Sequence, residues 1–241
     1  LSASPHLCKV RFEGVERDRK LWLTLAPALA PLRNLESLSV VYCDLKMDEA
    51  KQETQKDMTA VEAKGVQDVA KVLARMRSLD ELRLCRLPAG ILKVLLESGL
   101  SKSKSISILD LSFNHFELSA LGVLTAWVNK STLKEVMCEG IVVVRRDTGE
   151  EKQRMSIEPA DKLARAVGSA SSKLEVFVLT FDYQPPQKGT WTQAAVNEKD
   201  VKKFTYGCQA AVAGSRALRF MAVGLHPQGT SHNVAYARRE G

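Results

Sequence analysis

One apolar pattern, L-x-x-L-x-L-x-x-(N/C)-x-L, recurs along this chain and constrains its fold more than any other feature. Leu35, Leu38, Val40, Cys43 and Leu45 match it fully, as do Ile106, Leu109, Leu111, Asn114 and Phe116. Five further copies keep the first three apolar positions: Leu7/Val10/Phe12, Leu79/Leu82/Leu84, Leu133/Val136/Cys138, Leu174/Phe177/Leu179 and Leu218/Met221/Val223. The seven copies start at residues 7, 35, 79, 106, 133, 174 and 218, so the intervals are 28, 44, 27, 27, 41 and 44. Three intervals equal a repeat of 27 or 28 residues, and the others add about 13 to 16 residues to it.

The alternating apolar residues predict a short strand with one face inward. The Asn or Cys at the ninth position is expected to turn inward and bond the bare backbone of the turn, with Asn114 better equipped than Cys43. Helical spacing follows the strands in Leu21/Leu25/Leu29/Leu32, Val66/Val69/Leu73 and Leu118/Leu121/Leu124. One such unit cannot bury its apolar face alone, so neighbours are expected to stack.

The pattern resembles the leucine-rich repeat superfamily, and the 27–28-residue period with a full outer helix is similar to its ribonuclease-inhibitor-like subtype. The resemblance spans roughly residues 5 to 226. It implies an α/β solenoid, a curved horseshoe of about seven repeats, with short parallel strands on the concave face and helices on the convex face. The chain departs from the family at the ninth position, where Val15, Leu87, Ile141, Asp182 and His226 replace Asn or Cys.

The expected organisation is a single domain over 1–241, with insertions at about 46–60, 142–157 and 183–200 and a polar tail over 227–241. The first insertion reads as a loop or helical extension. The second reads as a hairpin turning at Asp147-Thr148-Gly149, and the third as a loop around Pro185-Pro186. Both ends of the stack lack a recognisable cap, so they are expected to contact further protein, or the chain to be a piece of a longer solenoid.

With apolar template positions inward, positions three, five and seven line the concave face. The candidate partner-binding residues there are Arg83, Asp110, Met137, Val176, Val178, Thr180, Phe220 and Ala222. The face changes from mixed and charged in the first five copies to apolar in the last two, and an exposed apolar patch marks a binding site. An aromatic follows position seven in three copies, and Tyr42, Phe113 and Phe181 are candidates for a ridge along one rim.

No phosphate loop, dinucleotide fingerprint, H-E-x-x-H or C-x-x-C occurs, so neither a catalytic residue, a metal site nor a cofactor is expected. Cys43 and Cys138 read as buried apolar residues. Cys85, on the concave face, has no histidine beside it to activate a nucleophile. Lys+Arg 35 against Asp+Glu 28 gives a net charge of +7, spread over clusters such as Arg17-Asp18-Arg19-Lys20, Arg145-Arg146, Lys202-Lys203 and Arg238-Arg239. The longest apolar run, Leu21 to Leu32, is too short for a bilayer. Five widely spaced cysteines fit a reducing compartment. The sequence thus points to a non-catalytic protein-interaction module or scaffold subunit. It is expected to be intracellular and cytoplasmic, or mitochondrial after presequence removal. RNA contact through the basic loops and regulation of a small GTPase are the alternatives.

Overall fold

The computed structural model describes residues 4, 6–15, 20–43, 58–87, 89–130, 132–144, 158–168, 173–183, 198–227 and 232–238. Among these, nine strands form one sheet: β1 Lys9–Val15, β2 Ser37–Tyr42, β3 Glu81–Cys85, β4 Ile108–Asp110, β5 His115–Glu117, β6 Glu135–Val144, β7 Val176–Tyr183, β8 Phe220–Pro227 and β9 His232–Arg238. The helices are α1 Leu21–Leu29, α2 Ala60–Arg75, α3 Ala89–Glu97, α4 Leu118–Lys130, α5 Glu158–Val167 and α6 Glu198–Gly214, with a short 3-10 turn at Leu100–Lys102.

Strand order in space follows chain order, β1-β2-β3-β4-β6-β7-β8-β9, with β5 paired to β6. The seven strands that begin the repeats are all parallel. Each helix packs on the next in chain order. Because every crossover steps to the adjacent strand with the same hand, the helices gather on one face of the sheet. The protein is therefore an α/β structure of two layers.

The register joins like with like. Lys9, Ser37, Glu81, Ile108, Glu135, Val176 and Phe220, the third residue of each copy, stand in one row across the sheet. A second recurrence sits one residue earlier. The carbonyl of Cys8 accepts from the backbone N–H groups of Glu36 and Ser37, that of Glu36 from Asp80 and Glu81, and that of Asp80 from Ser107 and Ile108. Ser107, Lys134 and Glu175 repeat this double acceptance toward the next copy, all at 2.7–3.0 Å. Six successive interfaces thus share one hydrogen-bond geometry.

The period of two then divides the strand residues between faces. Leu38, Val40, Leu82, Leu84, Leu109, Leu111, Val136, Cys138, Phe177, Leu179, Met221 and Val223 are buried in one continuous core with the inner sides of the helices. Burying each large apolar side chain stabilises by roughly 1.5–3 kcal/mol. The helix from Ala60 starts cleanly because Thr59 caps it: its hydroxyl accepts from the Glu62 N–H at 3.2 Å, and the Glu62 carboxylate accepts from the Thr59 N–H at 2.7 Å.

Past the core-facing run, the chain turns with the same device in several copies. The eighth template residue has positive φ at Gly14 (62°), Arg86 (61°), Phe113 (59°) and Gly140 (58°). Glycine enters this region freely; arginine and phenylalanine do so at a cost. The Arg86 guanidinium lies 5.2 Å from the Phe113 ring centre, a cation–π contact between two such residues on adjacent turns.

Expectations for the C-terminal segment and for Cys43 need correction. The segment 227–241 is not merely a polar tail: His232–Arg238 forms β9 and pairs antiparallel with β8. The outer edge of β8 is therefore paired, and β9 is the edge strand at that end of the sheet. Val142 to Val144 are strand, as expected at the start of the second insertion: they continue β6 and pair in parallel with β5. Cys43 is exposed rather than buried, although its thiol donates to the Gly14 carbonyl at 2.9 Å. Asp147-Thr148-Gly149, most of the 46–60 segment and Pro185-Pro186 lie outside the described residues.

Candidate functional site

The sheet face turned away from the helices is covered by no described element. Three rows of side chains cross it. The middle row is Arg11, Ser39, Arg83, Asp110, Met137, Val178 and Ala222, set by strand register.

Toward β1 the face is polar. Lys9, Arg11 and Glu13 are exposed, and Arg11 lies 3.6 Å from the Glu13 carboxylate. Ser37 and Ser39 are small enough to be buried between their neighbours. In the centre, Arg83 Nε lies 3.0 Å from Asp110 Oδ2. That contact is an ion pair rather than an aligned hydrogen bond, since Nε meets no hydrogen-bond geometry. The other Asp110 oxygen accepts from the Ser112 N–H at 2.9 Å. Asp110 is buried and engaged on both oxygens, so it organises the face instead of being offered to a partner.

Beside this pair, burial pushes the Cys85 thiol up to about 11, with the Asp110 charge acting in the same direction. Cys138, on the core side, is pushed up by burial as well. Neither is a competent nucleophile at neutral pH. Cys85, Cys138 and Cys208 are buried, whereas Cys43 is exposed and Cys8 half-buried. A thiol reagent at pH 8 is expected to modify two cysteines rapidly and the remaining three roughly 100-fold more slowly, all five reacting in denaturant. Rapid reaction of a third thiol in the native protein would contradict this burial.

Toward β8 the face is apolar. Val176 and Val178 are half-buried, as are Met137 and Ile108 on the preceding strands. Phe220 remains 36% exposed, since no described element covers this face of the sheet. Ala222 is buried and contributes floor rather than contact. Thr180 is half-buried, and its hydroxyl accepts from the Gly140 N–H at 2.6 Å, tying β7 to the turn of β6. Register sets Tyr236 of β9 opposite Ala222. Of the sequence candidates, Met137, Val176, Val178 and Phe220 thus form one apolar area. Ile108 lies in the same row as Val176 but is separated from it by Glu135.

The rim aromatics separate. Tyr42 does not stand on a rim: it is buried, and its hydroxyl accepts from Trp22 Nε1 at 2.7 Å. The bulky α1 tryptophan reaches over the end of β2 and needs a partner for its N–H. Phe113 is 43% exposed at its positive-φ turn. Phe181 is placed by register opposite Ile141.

Among the described residues, no cluster of His, Cys, Asp and Glu stands ready to hold a metal ion. None of the described helices is long and apolar enough to cross a membrane. Arg17, Arg19, Arg145, Arg146 and Arg239 lie outside the described residues. No protein-family model matches this chain, and no curated protein does.

Proposed function

We propose that this chain is a leucine-rich repeat solenoid of the ribonuclease-inhibitor-like kind, acting as a non-catalytic module that binds a protein partner on the open face of its sheet. The observation that carries the binding reading is the half-exposed apolar area of Met137, Val176, Val178 and Phe220, left uncovered by any described element. The recurrent double acceptance at six interfaces and the repeated positive-φ turn support the solenoid reading, since equivalent units stack by equivalent contacts. A protein suits this face better than RNA does. The carboxylates of Glu81, Glu135 and Glu139 border the apolar area and would repel phosphates.

The test is stoichiometric co-purification of a protein partner from native cells. Val178→Asp and Phe220→Asp should each weaken retention by about tenfold or more, because a carboxylate would be buried without a partner. Glu97→Lys, on the exposed side of α3, should leave retention unchanged. Full retention by a folded Val178→Asp protein would remove the open face from the binding reading.

A further inference from the structure

Away from the open face, a groove of about 490 Å³ lies where α1 and α2 both end. It is lined by Ala30, Leu32, Val72 and Met76 together with Arg33, Arg75 and Arg77. Leu32 is buried, Val72 and Met76 are half-buried, and the three arginines are exposed. Among the described residues, no acidic one lines the groove. Among the described residues, none of the three guanidinium groups makes an ion pair or a hydrogen bond.

Three exposed cations thus gather at one apolar-lined groove. Arg75 lies in the last turn of α2, where a cation complements the helix dipole, and that accounts for one charge of three. The other two sit on loops that are held in place. Ser78 Oγ donates to the Arg33 carbonyl at 2.5 Å, and Ser105 Oγ donates to the Met76 carbonyl, next to Arg77, at 2.6 Å. Like charges gathered around an apolar-lined groove repel, and a bound dianion would remove that repulsion. Guanidinium forks match the oxygens of a phosphate two at a time, which a single carboxylate answers less fully. The carbonyl ends of α1 and α2 disfavour a bare anion, so the arginines must supply the attraction and the apolar lining must add to it.

We propose that this groove binds a phosphate monoester whose organic body rests on Leu32, Val72 and Met76. The monoester belongs either to a free small molecule or to a phosphorylated side chain.

Calorimetric titration of the full chain tests this, using phenyl phosphate, inorganic phosphate, phenol and a peptide carrying one phosphotyrosine. Phenyl phosphate should bind one saturable site, inorganic phosphate about tenfold more weakly, and phenol without saturation. Arg33→Gln, Arg75→Gln and Arg77→Gln should each weaken phenyl phosphate by at least about fivefold while a cooperative thermal transition shows that the fold is kept. Arg11→Gln, on the open face, should have no effect. Peptide affinity equal to or above that of phenyl phosphate assigns the monoester to a phosphorylated side chain, and weaker peptide binding assigns it to a small molecule. Absence of saturable phenyl phosphate binding overturns the proposal, as does equal weakening by Arg11→Gln.

Discussion

Asn114→Ala should destabilise the protein by about 4 kcal/mol, read as a shift of the urea midpoint with an unchanged slope. Asn114 is fully buried, and its side chain satisfies three backbone groups on two adjacent turns. Its Oδ1 accepts from the Leu87 N–H at 2.6 Å, and its Nδ2 donates to the carbonyls of Leu84 at 2.6 Å and Leu111 at 2.8 Å. Alanine would strand all three in the core, and a stranded buried polar group costs about 1–3 kcal/mol. Leu87 occupies the ninth position of the preceding copy and brings no polar side chain to its own turn. One asparagine therefore serves two turns, and the loss should spread to both. A loss below about 1 kcal/mol would mean that water replaces the amide, which the complete burial of this site argues against.

Gly168→Ala should cost about 2–4 kcal/mol by forcing α5 and α6 apart. A Cβ placed on Gly168 would meet Ala211 Cα at 2.3 Å, its Cβ at 2.7 Å and its carbonyl oxygen at 2.9 Å. Backbone atoms cannot swing aside as a long side chain can. Adding Ala211→Gly should restore only a fraction of the loss, because it removes one of the three clashes. Thermal melts of the single and double variants measure both effects, and a neutral Gly168→Ala would show that the two helices do not approach this closely.

Much of the core was legible because the repeat fixes which residues alternate. Leu38, Leu82, Leu109, Val136, Phe177 and Met221 occupy one template position, and all are buried. What escaped depended on contacts between distant residues or on short polar segments. The run His232–Arg238 reads as a tail beside its polar neighbours. Yet Val234 and Tyr236 alternate behind a Gly-Thr-Ser run of turn-forming residues, the mark of a returning strand. Of the positive-φ turns, Gly14 and Gly140 announce themselves, whereas Arg86 and Phe113 do not. Tyr42 reads as a rim residue until Trp22, 20 positions earlier, is seen to claim its hydroxyl. The arginine groove joins residue 33 to residues 75 and 77, a meeting set by two helix ends that no local pattern reports.

Because spatial order follows chain order, β1 and β9 lie at opposite edges of the sheet. Tension applied at those two strands would run across the ladder and along its hydrogen bonds, the direction in which strand pairs separate in succession. Resistance would then be set by the weakest single interface rather than by the sum of all of them. The short β4, with only three paired residues on either side, is where such a load would first find release.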